Sequence, residues 1–148
     1  MYTESDIQVL QGFEHMRRRP AMYMPGGVSA SAIAAQLTSQ ALELGARLVR
    51  TDVVGGWHVV SADLDWLSQP QDARVSPRQL FERVVGWPPR TNGIRSEALV
   101  GAYCTVAYIA VPAEHERVLG TAALPPEVAV ALCPSGCHRS VAFTLNDG

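Results

Sequence analysis

The densest group of reactive side chains in the chain is Cys133-Pro-Ser-Gly-Cys137-His138, two thiols and an imidazole within six positions. Thiolate and imidazole are zinc ligands, but a closed zinc site needs four of them and no second cluster supplies the rest. Pro-Ser-Gly between two apolar runs also has the composition of a tight turn, which would set the cysteines near each other across paired strands. The turn is the expectation, with a metal or redox role for Cys133, Cys137 and His138 as the alternative. Arg17-Arg18-Arg19 is the other conspicuous group. A run this short is expected to be a solvated helix end, and a formal net charge of −2 gives no general pull toward nucleic acid. All twelve basic residues are arginine, so no lysine is present to hold a phosphate. His15, His58 and His115 have no carboxylate or cysteine at the spacing of a shared ligand set. Trp57 and Trp87 flank loops and are expected to complete the core.

These groups need elements to hold them. At 148 residues and 47% hydrophobic, residues 1–148 fit one domain with a real core. No run approaches the roughly eighteen apolar residues of a membrane span, and the polar N-terminus is unlike a signal peptide. A cytoplasmic protein without a membrane partner is therefore expected, and three cysteines make no disulfide framework.

Apolar residues at helical spacing, with Thr3, Ser5 and Asp6 as caps, predict a first helix over about residues 5–18 that stops at Pro20. Ile33, Leu37, Ala41 and Leu44 form a stripe that predicts a second helix over 30–44, with Gly45 as its C-terminal cap. Two β-rich runs around Gly55-Gly56 predict a hairpin. Ser76-Pro77 opens a short helix through Val85, and 86–93 is a loop. Residues 99–111 are apolar throughout and must be buried, as helix or strand. "VAVALC" and "RSVAFTL" predict a second hairpin, and 112–127 a long inserted connection that could serve a partner. Hairpins interleaved with helices, without regular βαβ units, argue for an α+β two-layer sandwich.

The opening stretch resembles the start of the ATPase domain of DNA gyrase B and topoisomerase IV, members of the GHKL group. There an arm bearing a tyrosine leads into I-x-V-L-x-G-L and then R-x-R-P-x-M-Y-I-G. Here "YTESDIQVLQGF" and "RRRPAMYM" follow that pattern at fixed spacing without gaps. The resemblance continues more weakly along the chain, and the blocks that handle ATP in the family depart from it.

The family's E-x-x-D-N carries the general base and the magnesium-holding asparagine. Its glutamate falls on Gln36, its aspartate on Ser39 and its asparagine on Gln40. A glutamine amide cannot take a proton from water at neutral pH. The adenine-reading D-x-G-x-G falls on Ala62, Leu64 and Trp66; a slip of one residue restores the acid as Asp63 but neither glycine. The phosphate lid G-G-L-H-G-V-G aligns through Ser96, Leu99, Gly101 and Val106, with Glu97, Ala98 and Tyr103 in place of glycines. Backbone N–H groups cradle phosphate only where side chains leave room, and a glutamate there repels a polyanion. This alignment favours helix over strand for the second half of 99–111. The family's transducer lysine lies beyond Gly148.

The resemblance implies a GHKL-type two-layer sandwich truncated at its C-terminus, with a mixed, mostly antiparallel sheet and helices on one face. It implies a catalytically inactive protein without cofactor, kept for binding or regulation; retained ATP with magnesium is the alternative. In the family the arm reaches across to a second protomer, so Tyr2 and Ile7, in an arm over 1–9, imply a homodimer or a heterodimer with a gyrase-B-type protein. Nucleic acid is not an expected partner, because in the family those arginines belong to the scaffold.

Overall fold

Ser29 sits in extended backbone and its hydroxyl accepts the Ala32 N–H at 3.0 Å, the N-cap of the longest helix. In the computed structural model, which describes residues 12–69, 75–87 and 93–145, this helix is the third of five. Residues 12–18 form α1, Pro20–Tyr23 the single turn α2, Ala30–Glu43 α3, Glu97–Tyr103 α4 and Pro126–Val130 α5. The expected start of the first helix, and with it Tyr2 and Ile7, lies outside the described residues. Helix α3 ends as expected at Gly45, whose φ of +117° is open to glycine without strain. Ala46 N–H reaches Ala41 O and Gly45 N–H reaches Leu42 O, the paired bonds of a Schellman cap.

The strands are β1 (Val49–Val54), β2 (Trp57–Ala62), β3 (Val106–Val111), β4 (Glu114–Leu119) and β5 (Arg139–Thr144). They form one sheet in the order β1-β2-β5-β3-β4, and each neighbouring pair is antiparallel. Positive φ at both Gly55 and Gly56 gives the first hairpin the mirror-image turn that matches strand twist. The protein is thus α+β, as the sequence predicts, although the sheet is antiparallel at every pairing rather than mixed.

Four expectations need correction. The second half of 99–111 is not helix: α4 ends at Tyr103 and β3 begins at Val106. Ladders on both sides and apolar burial on both faces hold this strand, which explains its unbroken hydrophobicity. "VAVALC" is not a strand either. Both edges of β5 are already taken by β2 and β3, and Pro126 with Glu127 in the first turn starts α5 instead. Residues 112–127 are not one long connection, because 114–119 become β4 after a two-residue turn at Pro112-Ala113. The helix expected over 76–85 contracts to a 3₁₀ turn, Arg78–Phe81, opened by reciprocal Ser76 and Gln79 hydrogen bonds.

The main core lies between the sheet and α1, α3 and α4, with Met16, Ile33, Leu37, Leu99, Val60, Ile109, Val141 and Phe143 among its buried members. Helices are not confined to that face. On the other, Val128 of α5 is buried against Trp57, Val59, Val106, Tyr108 and Ala142. Among the described residues no helix is long and apolar enough to cross a membrane.

Candidate functional site

Beneath α3, where the sheet passes into the loop after β2, four side chains meet in a buried polar knot. Gln40 is delivered by the last turns of α3, Trp66 by a 3₁₀ turn (Trp66–Ser68) after β2, and Arg95 and Glu97 by the start of α4. Gln40, Trp66 and Glu97 have no solvent exposure and Arg95 has 3%. Glu97 Oε2 accepts from the Gln40 side-chain amide and from Trp66 Nε1 at 3.1 Å; Glu97 Oε1 accepts from Arg95 Nε at 3.0 Å. The Arg95 guanidinium also donates to the carbonyls of Trp66, at 3.1 Å, and Gln69, and lies over the Trp87 ring. Gln40 Oε1 accepts the Ser96 N–H at 2.7 Å.

The arrangement is closed. Both carboxylate oxygens of Glu97 accept from donors of the same chain, and the side chain is fully buried. A buried ion pair is tolerated best when its other polar atoms also find partners, and here every nitrogen of the Arg95 guanidinium and both Glu97 oxygens have at least one.

Of the residues singled out in the sequence, the structure brings Gln40, Trp66 and Ser96 into this one knot. The others go elsewhere. Gln36 is half-buried on α3 one turn earlier, and Ala62 is buried at the end of β2 opposite Val49 and Arg139. Asp63 is engaged by the backbone: its Oδ1 accepts the N–H groups of Arg47, at 3.0 Å, and Leu48, at 3.2 Å. The Leu48 bond is the chief reason the Asp63 carboxyl is held below its ordinary value. Tyr103 donates its hydroxyl to Met16 O, tying α4 to α1, and burial raises its pKa. Gly101 is glycine for packing: a Cβ there would stand 2.3 Å from Phe81 O and 2.7 Å from the Phe13 ring.

Arg95 is the member that sequence reasoning misses, and Glu97 is legible there only as a repulsion against phosphate. The available signal is an Arg-x-Glu pair set flush against an apolar run. A second ion pair beside the knot joins Arg139 to both Asp65 oxygens, at 2.8 and 2.9 Å. Burial pushes the Asp65 carboxyl up, but the Arg139 hydrogen bonds and charge outweigh it and leave it below its ordinary value.

The Cys133–His138 corner forms a turn, though not one joining paired strands. Cys137 is buried and burial raises its pKa; His138 is exposed, and its backbone N–H donates to Ala62 O at 2.8 Å. Cys133 takes a left-handed backbone with φ of +45°, and its N–H donates to Ser140 Oγ at 2.8 Å. Among the described residues no three His, Cys, Asp or Glu side chains are grouped so as to hold a metal ion. Of the arginine run, Arg17 donates to Ala102 O at 2.8 Å and lies over Phe13, and Arg18 pairs with Glu14. No protein-family model and no curated protein matches the sequence.

Proposed function

We propose that this is a gyrase-B-like domain of the GHKL type that acts in the cytoplasm by binding or regulating a partner and not by hydrolysing ATP. The observation that carries the reading is the knot itself. The positions aligned with the family's magnesium-holding asparagine, adenine-side glycine and phosphate lid, namely Gln40, Trp66 and Ser96-Glu97, are satisfied by one another. A triphosphate at these positions would have to displace the Trp66 indole, take a hydrogen-bond donor from the buried Glu97 carboxylate and set a polyanion against it, at a cost of several kcal/mol.

The partner in this reading is a second copy or a gyrase-B-type protein met through the 1–9 arm, since the R-x-P-x-M-Y stretch that follows the arm is kept. Calorimetric titration of the full chain with ATP and magnesium tests the first half. No heat of binding is the expected result; a saturable heat abolished by Gln40→Ala would overturn it in favour of retained nucleotide binding. Light scattering before and after removal of residues 1–9 tests the second.

A further inference from the structure

The sheet has two edges, and they are finished differently. On β4 the outer residues are Glu114, His115, Glu116 and Arg117, and Arg78 reaches across to donate to Glu116 and to the Arg117 carbonyl. Charge and a covering side chain are common protections of an edge. β1 has no such cover among the described residues. Its central residues Arg50, Thr51, Asp52 and Val53 are exposed, Val53 at 68%, and Arg50 and Asp52 have no ion-pair partner among the described residues.

The register of that edge can be derived. The two-residue turn at Gly55-Gly56 makes Val54 and Trp57 a hydrogen-bonded pair, and antiparallel pairs alternate. Val54, Asp52 and Arg50 therefore spend their backbone groups on β2, while Val53, Thr51 and Val49 turn theirs outward. Any antiparallel strand laid on this edge must bond to those three residues. If that strand is a second β1, its own Val49, Thr51 and Val53 must do the bonding, which leaves three central registers. One sets Arg50 against Arg50, and one sets Asp52 against Asp52. The third, with the two-fold axis at Thr51, sets Arg50 against Asp52 twice, Val49 against Val53 twice and Leu48 against Val54 twice.

We infer that β1 is a self-complementary docking edge, through which two copies join their sheets into one continuous ten-stranded antiparallel sheet about an axis at Thr51. The stretch Leu48-Val-Arg-Thr-Asp-Val-Val54 reads outward from its centre as opposite charges, then apolar on apolar, the pattern an isologous contact requires. Like-charge juxtaposition rejects the neighbouring registers. The inference does not depend on the GHKL reading and uses a different surface from the 1–9 arm.

Sedimentation equilibrium of the full chain over a range of concentrations tests it. The wild-type chain should dimerise reversibly. Arg50→Asp and Asp52→Arg should each weaken association about tenfold or more, because each replaces two attractive cross-strand pairs by two repulsive ones. The double variant, Arg50→Asp with Asp52→Arg, restores both pairs and should recover wild-type association. Thr51→Pro removes an outward donor that the hairpin does not use and should give a folded monomer, with circular dichroism reporting the fold. A wild-type chain that stays monomeric overturns the inference. So do single swaps that leave dimerisation unchanged, a folded double variant that fails to recover it, or a dimer abolished by removing residues 1–9 and insensitive to the swaps; that last outcome favours the arm instead.

Discussion

The two faces of the sheet bury polar groups by different chemistry. On the α3 side the interior holds full charges, Arg95 with Glu97 and, nearer the surface, Arg139 with Asp65. On the α5 side it holds small neutral groups: Ser61 and Ser140 hydroxyls are 2.6 Å apart, and Ser140 also receives the Cys133 N–H. Removing one member of a charged knot strands an ion, whereas removing a hydroxyl strands at most a dipole. The first face should therefore be costly to alter and sensitive to pH, and the second neither.

The largest expected effect is Glu97→Ala, which leaves the buried Arg95 charge without its carboxylate and the Arg95 Nε–H, the Trp66 N–H and the Gln40 amide without their acceptor. A loss of about 3–5 kcal/mol in urea unfolding is expected. A loss no greater than that of a hydroxyl deletion on the other face would erase the contrast. Gly101→Ala comes next, at about 2–3 kcal/mol, because the added methyl meets the fixed Phe81 carbonyl and not a movable side-chain end. A neutral result there would mean that α4 can slide, and the knot with it. Ser140→Ala on the opposite face should cost about 1–2 kcal/mol, the loss of a hydroxyl that serves both Ser61 and Cys133.

The smallest effect sharpens the comparison by its shape rather than its size. The Asp65 pKa is lower folded than unfolded, so its contribution is present above the unfolded carboxylate value and fades as pH falls through the folded one. Asp65→Asn should flatten that acid limb of stability against pH, while Ser140→Ala should displace the whole curve without changing its slope. Parallel curves for both variants would contradict the assignment of charge to one face.

Much of the local architecture is legible in the sequence because it rests on local rules. The α3 stripe with its Gly45 cap and the Gly55-Gly56 hairpin are set by periodicity and backbone freedom within a few residues. β3 and α5 are misread for the opposite reason. Residues 106–111 are strand because β4 and β5 flank them, and 128–133 do not pair with β5 because β2 and β3 already hold both its edges. Neither fact is written within those segments. At the site, the alignment groups Gln40, Trp66 and Ser96 but gives no hint that Arg95 turns inward, since an arginine beside a loop ordinarily faces water.

The sequence by itself determined the Gly55-Gly56 hairpin and the amphipathic α3 with its Gly45 cap, because each follows from residue type at close range. Only the tertiary structure decided that Glu97 joins Gln40 and Trp66 in one buried knot, and that Gly101 makes room for the Phe81 carbonyl and the Phe13 ring. Those outcomes depend on groups dozens of positions apart competing for one buried space, where an unpaired charge or an overlapping atom costs more than any local preference can offset.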